Sequence, residues 1–232
     1  MTSTAIRAVV LDMDGLMLDT EPMSQAGWER TFRERGLEFP PYRFRELIGL
    51  NVADARRKMC AWYGPEFPFE EIYACKLVLV DEIIATAGIP LKPGLREFLA
   101  AADSLGLRKA VATSTARERA AYKLGIAGIA WPPELVAGGD EVERGKPAPD
   151  LFLLAARRIG VPPEKCLALE DSDPGVLAAR AAGMRVVIVP DQKRPSPEAA
   201  AAAWRIVPDL LQAAKNLPEW VSGRVQSKPA RL

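Results

Sequence analysis

The feature that most restricts the fold of this chain is the rhythm of its second half. From about Leu91 onward, short apolar runs alternate with longer amphipathic stretches. Arg108–Thr113, Leu135–Ala137, Cys166–Glu170 and Val186–Val189 read as strands. Between them, Leu95, Phe98, Leu99 and Ala102 share one face of a helix opened by Pro93-Gly94 and closed near Gly106. Arg117–Leu124, Pro149–Ile159 and Val176–Ala182 read as further helices, stopped by Gly125, Gly160 and Gly183. Strands that are apolar along their whole length are covered on both faces. The alternation therefore predicts a parallel sheet between two helical layers. An earlier run, Ile6–Leu11, supplies another strand and stops abruptly at Asp12-Met13-Asp14-Gly15.

Residues from about 20 to 90 break the rhythm. Helical patterns at Trp28–Arg35, Val52–Trp62 and Phe69–Ala87 are separated at Pro40-Pro41, Gly64-Pro65 and Gly88. This predicts a helical subdomain, residues 20–90, inserted into an α/β core made of residues 1–19 and 91–217. Nine Lys and Arg against eleven Asp and Glu give the insert a net charge of −2, so it carries no basic surface. The alanine run Ala199–Ala203 follows Pro197 and reads as a helix. Beyond Leu217 the pattern weakens, and residues 218–232, with Arg224, Lys228 and Arg231, read as a frayed tail.

Composition narrows the chemistry. Of 232 residues, 31 are Lys or Arg and 30 are Asp or Glu, so the chain has no charge excess to attract nucleic acid or an anionic membrane. Cys60, Cys75 and Cys166 are odd in number and include no C-x-x-C pair, which argues against disulfides and thiolate zinc sites. No apolar run is long enough to span a bilayer, and the N-terminus lacks a signal-peptide pattern. The expectation is a cytoplasmic monomer. The absence of histidine removes every mechanism that needs an imidazole base or ligand. Catalysis must then run on carboxylates, hydroxyls, lysines or a cofactor.

In a parallel α/β sheet, function collects outside the carboxyl ends of the strands. Those ends carry Asp12 and Asp14, then Thr113-Ser114-Thr115, then Glu170-Asp171-Ser172-Asp173, with Lys146 just before the helix that leads into the third set. Each cluster alone has a plain alternative: a polar turn, a helix cap or a solvated loop. Asp12 and Asp14, two apart on an extended segment, point to the same side and repel unless a cation or a proton separates them. An EF-hand fails because its glycine belongs at the sixth position and here it is fourth. A Walker A loop fails at Pro147, and no G-x-G-x-x-G occurs. Together the clusters hold what phosphoryl transfer needs: a carboxylate nucleophile, a second carboxylate to move protons, a hydroxyl and a cation for phosphoryl oxygens, and acids for Mg²⁺.

At this point the sequence resembles the haloacid dehalogenase (HAD) superfamily. Asp12-Met-Asp-Gly-Leu-Met-Leu-Asp-Thr-Glu21 is similar to its first motif and Val-Ala-Thr-Ser114 to its second. Gly-Lys146-Pro-Ala-Pro-Asp150 resembles the third, and Leu-Glu170-Asp171-Ser-Asp-Pro-Gly175 the fourth. The insert is similar to the cap of the subgroup that contains β-phosphoglucomutase and small sugar-phosphate phosphatases. The resemblance implies a Rossmann-like α/β core with an inserted α-helical cap, and an Mg²⁺-dependent phosphatase acting on a small phosphorylated metabolite. It implies Asp12 as nucleophile, Asp14 as general acid/base, and Ser114, Thr115 and Lys146 as phosphate ligands. Asp12, the main-chain carbonyl of Asp14, Glu170 and Asp171 would hold the metal. Asp173 departs from the motif, where relatives often carry Pro or Ala.

Two alternatives stand beside the phosphatase: a β-phosphoglucomutase-like mutase and a degenerate, non-catalytic interaction module. A mutase must hold a second phosphate on cap cations. Related mutases carry a His, a Lys and an Arg where this chain has Ser24, Ile48 and Val52. That departure favours water as acceptor, with Asn51 and Arg56 as nearby polar candidates for substrate contact. Met23, Trp28, Trp62 and Tyr63 read first as cap core and second as pocket lining.

Overall fold

The computed structural model describes residues 5–48 and 50–222. Strand β1 (Ala8–Leu11) leads into four helices, α1 (Glu21–Glu34), α2 (Pro41–Leu47), α3 (Val52–Tyr63) and α4 (Phe69–Ala87). There follow α5 (Leu95–Ser104), β2 (Arg108–Ala112), α6 (Arg117–Ile126), β3 (Val136–Ala137) and α7 (Asp150–Arg158). The chain ends through β4 (Cys166–Glu170), α8 (Asp173–Ala181), β5 (Arg185–Ile188), α9 (Pro197–Ala202), β6 (Arg205–Ile206) and α10 (Leu210–Ser222). The sheet has the order β3-β2-β1-β4-β5-β6, with every pairing parallel. This is an α/β fold of Rossmann-like design.

Alternate residues of each strand feed opposite faces of the sheet, as the pleat requires. Val9, Leu11, Val111, Leu167, Leu169 and Val187 pack with α5, α6 and α10 on one side. Ala8, Val10, Ala110, Ala112, Ala168, Val186 and Ile188 pack with α7, α8 and α9 on the other. The small residues on the second face let Leu151 and Phe152 of α7 lie close to the sheet. The central strand β1 is fully buried, so its C-terminal end delivers Asp12 to the middle of the sheet edge.

Helices α1–α4 build an aromatic cluster of their own from Trp28, Phe32, Phe39, Phe44, Met59, Phe69 and Ile72. Phe32 sits at its centre, with ring centroids 4.8 Å from Phe39 and 5.2 Å from Tyr63. Trp28 is a member of this cluster and Trp62 and Tyr63 pack against it, while Met23 joins the cluster on the sheet. The two crossings between the helical insert and the sheet run side by side. Leu18 pairs with Leu91, and the Asp19 N–H donates to Pro90 O at 2.9 Å.

Two elements differ from the sequence reading. The break expected at Pro40-Pro41 is present, but it is followed by a helix the sequence pattern does not predict, α2, which starts at Pro41. Proline suits the first helical position because the N–H it lacks has no intrahelical partner there. Helix α10 runs through Pro218 to Ser222, past the expected start of the tail at 218. Its buried stripe, Leu210, Ala213, Leu217 and Trp220, carries it across the proline, and Trp220 meets Trp204 edge-on at 5.8 Å. Packing here outweighs local propensity. The rest of the expected tail, 223–232, lies outside the described residues.

Candidate active site

Asp12 follows β1 directly, and its N–H donates to Leu169 O of β4 at 3.1 Å. Lys146, from the loop before α7, is buried between two acids. Its ammonium bonds Asp12 Oδ1 and, at 2.5 Å, Glu170 Oε1. Burial opposes the charge on Lys146, but Asp12 and Glu170 more than offset it and hold the lysine above its usual range. Burial pushes the Asp12 carboxyl upward, against the pull of Lys146 and with added repulsion from Glu170. Glu170 is wholly buried at the end of β4, and its Oε2 accepts from the N–H groups of Asp171 and Ser172 and from Ser172 Oγ, all at 3.0 Å.

Asp171 completes this edge. Among the described residues, Asp12, Glu170 and Asp171 each present a carboxylate oxygen within 4.8 Å of the others. Burial and the neighbouring Glu170 and Asp12 hold the Asp171 carboxyl well above the usual range. One lysine faces three acids, so the cluster is short of positive charge. An all-oxygen donor set of this kind fits a hard divalent cation. Gly15, at φ +89°, comes so close that a Cβ there would lie 2.3 Å from Asp171 Oδ2.

Asp14 faces a different set of donors. Its Oδ1 accepts from Thr20 Oγ1 at 2.8 Å and from Lys123 Nζ at 2.7 Å, and its Oδ2 accepts from Thr115 Oγ1 at 2.7 Å. Burial alone would raise this carboxyl, but Lys123 and the two hydroxyls outweigh it and bring it down to about 2. Thr115, grouped by sequence with the phosphate ligands, thus has its hydroxyl on Asp14. Ser114 lies beside it on the rim of a cavity of about 650 Å³ that Asp12, Asp14, Lys146 and Asp171 also line. The far wall of the cavity comes from α1–α4 and the α2–α3 segment, including Trp28, Ile48, Asn51 and Val52. Asn51 caps α3 by accepting the Asp54 N–H at 2.9 Å, and its Nδ2 reaches Lys146 O at 3.5 Å. Arg56, the other polar candidate, pairs instead with Glu70 at 2.7 Å.

A model of the haloacid dehalogenase-like hydrolases matches residues 6–183, most of the chain. The chain belongs to this family. Protein CbbY of Rhodobacter capsulatus is 36% identical to this hydrolase over 226 residues, covering 92% of this chain and 98% of CbbY. The fructose-1-phosphate phosphatase YqaB of Escherichia coli is 32% identical over 195 residues, covering 78% of this chain and 95% of its own. Among solved structures, a CbbY variant from Rhodobacter sphaeroides in complex with xylulose-(1,5)bisphosphate superposes with a TM-score of 0.74 at 29% identity. That match covers 89% of this chain and 96% of the other.

The cavity also holds charged residues to which the sequence reading gave no role. Glu21, Lys76, Arg119 and Lys123 all line the cavity. Arg119 clamps Asp81 of α4 with two bonds of 2.9 and 2.6 Å, tying α6 to the insert. Lys76 of α4 is buried beside the rings of Trp28 and Tyr73 at 5.6 and 5.7 Å. Burial and nearby Lys123 lower it to about 8, whereas burial and Asp14 raise Glu21 to about 7. One available signal was the spacing of Arg119 and Lys123. Four residues apart, just after the Ser114 loop, they share a face of the helix that rises from the functional edge.

Proposed function

We propose that this hydrolase is a phosphatase that removes the phosphoryl group from a small sugar phosphate through an aspartyl-phosphate on Asp12. The observation that carries this reading is the buried Asp12–Lys146–Glu170 array beside an independently held second carboxylate, Asp14. Mg²⁺, held by Asp12, Glu170 and Asp171 and by the Asp14 carbonyl, would supply positive charge for the phosphoryl oxygens. With Oδ1 held by Lys146, Asp12 Oδ2 is the oxygen left to attack phosphorus. An Asp12 O–P bond forms as the bond from phosphorus to the leaving oxygen breaks; Asp14, ionised in the free protein, takes up a proton as the phosphate dianion enters beside it and gives that proton to the leaving oxygen. Asp14 then takes a proton from water, the water oxygen bonds phosphorus, and Asp12 leaves as a free carboxylate. Ser114 and Lys146 hold the phosphoryl oxygens through both steps. The enzyme's unpaired cysteines accord with work in a reducing cytoplasm.

The cap favours water as acceptor. Among the described residues, the cap side chains that line the cavity include one cation, Lys76, together with the acid Glu21, and Ser24, Ile48 and Val52 offer none, so the cap is short of the several cations that hold a second phosphate. Sugar phosphates are the class acted on by YqaB and held by the CbbY variant. The test is phosphate release from a panel of sugar phosphates with Mg²⁺ and with excess EDTA. Release that requires Mg²⁺ supports the reading, and full activity in EDTA overturns the metal assignment. Conversion of β-glucose 1-phosphate to glucose 6-phosphate, primed by glucose 1,6-bisphosphate, would make the protein a mutase instead.

A further inference from the structure

Lys123 is a buried lysine with one acceptor, Asp14 Oδ1 at 2.7 Å, among the described residues. An ammonium carries three N–H donors, so two remain unused in a side chain that lines the substrate cavity. Its helical neighbour Arg119 is already committed to Asp81 through both of its terminal nitrogens. Lys76, across the cavity on α4, has no acceptor among the described residues. If Asp14 serves the ester oxygen, that oxygen lies next to Asp14 and therefore next to Lys123 as well. An atom one or two bonds beyond the ester falls within reach of the unused donors.

We propose that Lys123 has two roles: it orients Asp14 and it reads an oxygen on the leaving group, on the carbon next to the one that bears the phosphate. The inference rests on the phosphatase reading and narrows its substrate class. Preferred substrates carry a hydroxyl or carbonyl oxygen vicinal to the ester, and simple alkyl or aryl phosphates do not satisfy the lysine. Thr20 and Thr115 keep Asp14 in place in part when Lys123 is removed, so orientation and recognition are separable in kinetics.

The experiment compares the unaltered enzyme with Lys123→Met and Lys123→Arg on fructose 1-phosphate and p-nitrophenyl phosphate, with Mg²⁺ present. Circular dichroism and a thermal melt establish that each variant is folded. In Lys123→Met, loss of a charged hydrogen bond should raise KM for fructose 1-phosphate roughly 10- to 100-fold. KM for p-nitrophenyl phosphate should stay within about twofold, while kcat falls for both esters through the loosened Asp14. Lys123→Arg keeps donors at the site and should hold KM for fructose 1-phosphate within about fivefold of the unaltered enzyme. Equal losses on the two esters, or loss of folding in both variants, would overturn the role of Lys123 and leave the phosphatase reading standing. Failure of the unaltered enzyme to release phosphate from either ester would overturn both.

Discussion

Gly175 offers a sharp test of how tightly the acidic edge is built. It sits in the first turn of α8, against the side chain of Glu170. A Cβ at this position would lie 1.8 Å from Glu170 Oε1, 2.0 Å from its Cδ and 2.4 Å from Oε2. Ordinary carbon–oxygen contact begins near 3.3 Å, so Gly175→Ala must push the carboxylate back by about 1.5 Å. That carboxylate accepts Lys146 at 2.5 Å on one oxygen and three donors at 3.0 Å on the other. A displacement of this size takes at least two of the second set beyond hydrogen-bond range. Hydrogen bonds to a charged group contribute about 1.5–3 kcal/mol each, so losing two costs about 3–6 kcal/mol. Moving α8 instead would uncover Val176, Ala178 and Ala179 at similar expense. Urea unfolding followed by circular dichroism should show this as a midpoint lower by roughly 1–3 M with an unchanged slope. Phosphate release should fall with it, because Lys146 loses one of its two anchors. A stability loss below about 1 kcal/mol would refute the reasoning.

Two further perturbations probe the charges around the cavity. Glu21 is raised from its ordinary 4.5 to about 7, so its contribution to stability is fully present below pH 4.5 and is lost as pH rises through 7. The gap sets an upper bound of about 3 kcal/mol, reduced by solvent in the cavity to about 1–2 kcal/mol; Glu21→Gln should be more stable by that amount at pH 8 and no different at pH 4.5 in urea titrations at the two pH values. Asp171→Ala removes an acid without touching the Lys146 bonds, and the Mg²⁺ concentration for half-maximal phosphate release should rise at least about tenfold; an unchanged Mg²⁺ response would remove Asp171 from the metal site.

The parts of the fold most legible in the sequence were those with a strong apolar pattern and a sharp end. Cys166–Glu170 and Phe69–Ala87 match their expected bounds because an apolar run ends sharply at acids in one and at Gly88 in the other. The convergence of the candidate site residues was legible because a parallel sheet brings strand ends together whatever lies between them. Strand β6, Arg205–Ile206, has two half-buried residues and no periodicity to betray it. Lys123, Lys76 and Arg119 escaped because lysine and arginine on a helix usually face solvent, and only the packing of α6 against the insert turns them inward. The unusual Asp173 of the fourth motif gains a role from the fold. Its Oδ1 accepts the Ser196 N–H at 3.0 Å and so fixes the start of α9, where Ser196 is the cap.

The central claim is that phosphate passes through Asp12 with Asp14 moving the protons, and Asp14→Asn tests it most directly. This variant keeps the nucleophile and the Asp12–Lys146–Glu170 array but loses proton transfer, which contributes about 10²–10⁴-fold per assisted step. p-Nitrophenolate leaves with little help from an acid, whereas hydrolysis of the aspartyl-phosphate still needs a base to activate water. The account predicts release of about one equivalent of p-nitrophenol per protein, followed by a stall, with mass spectrometry after acid quench mapping the retained phosphate to Asp12. Steady turnover near the unaltered rate, or phosphate trapped on any other residue, would contradict it.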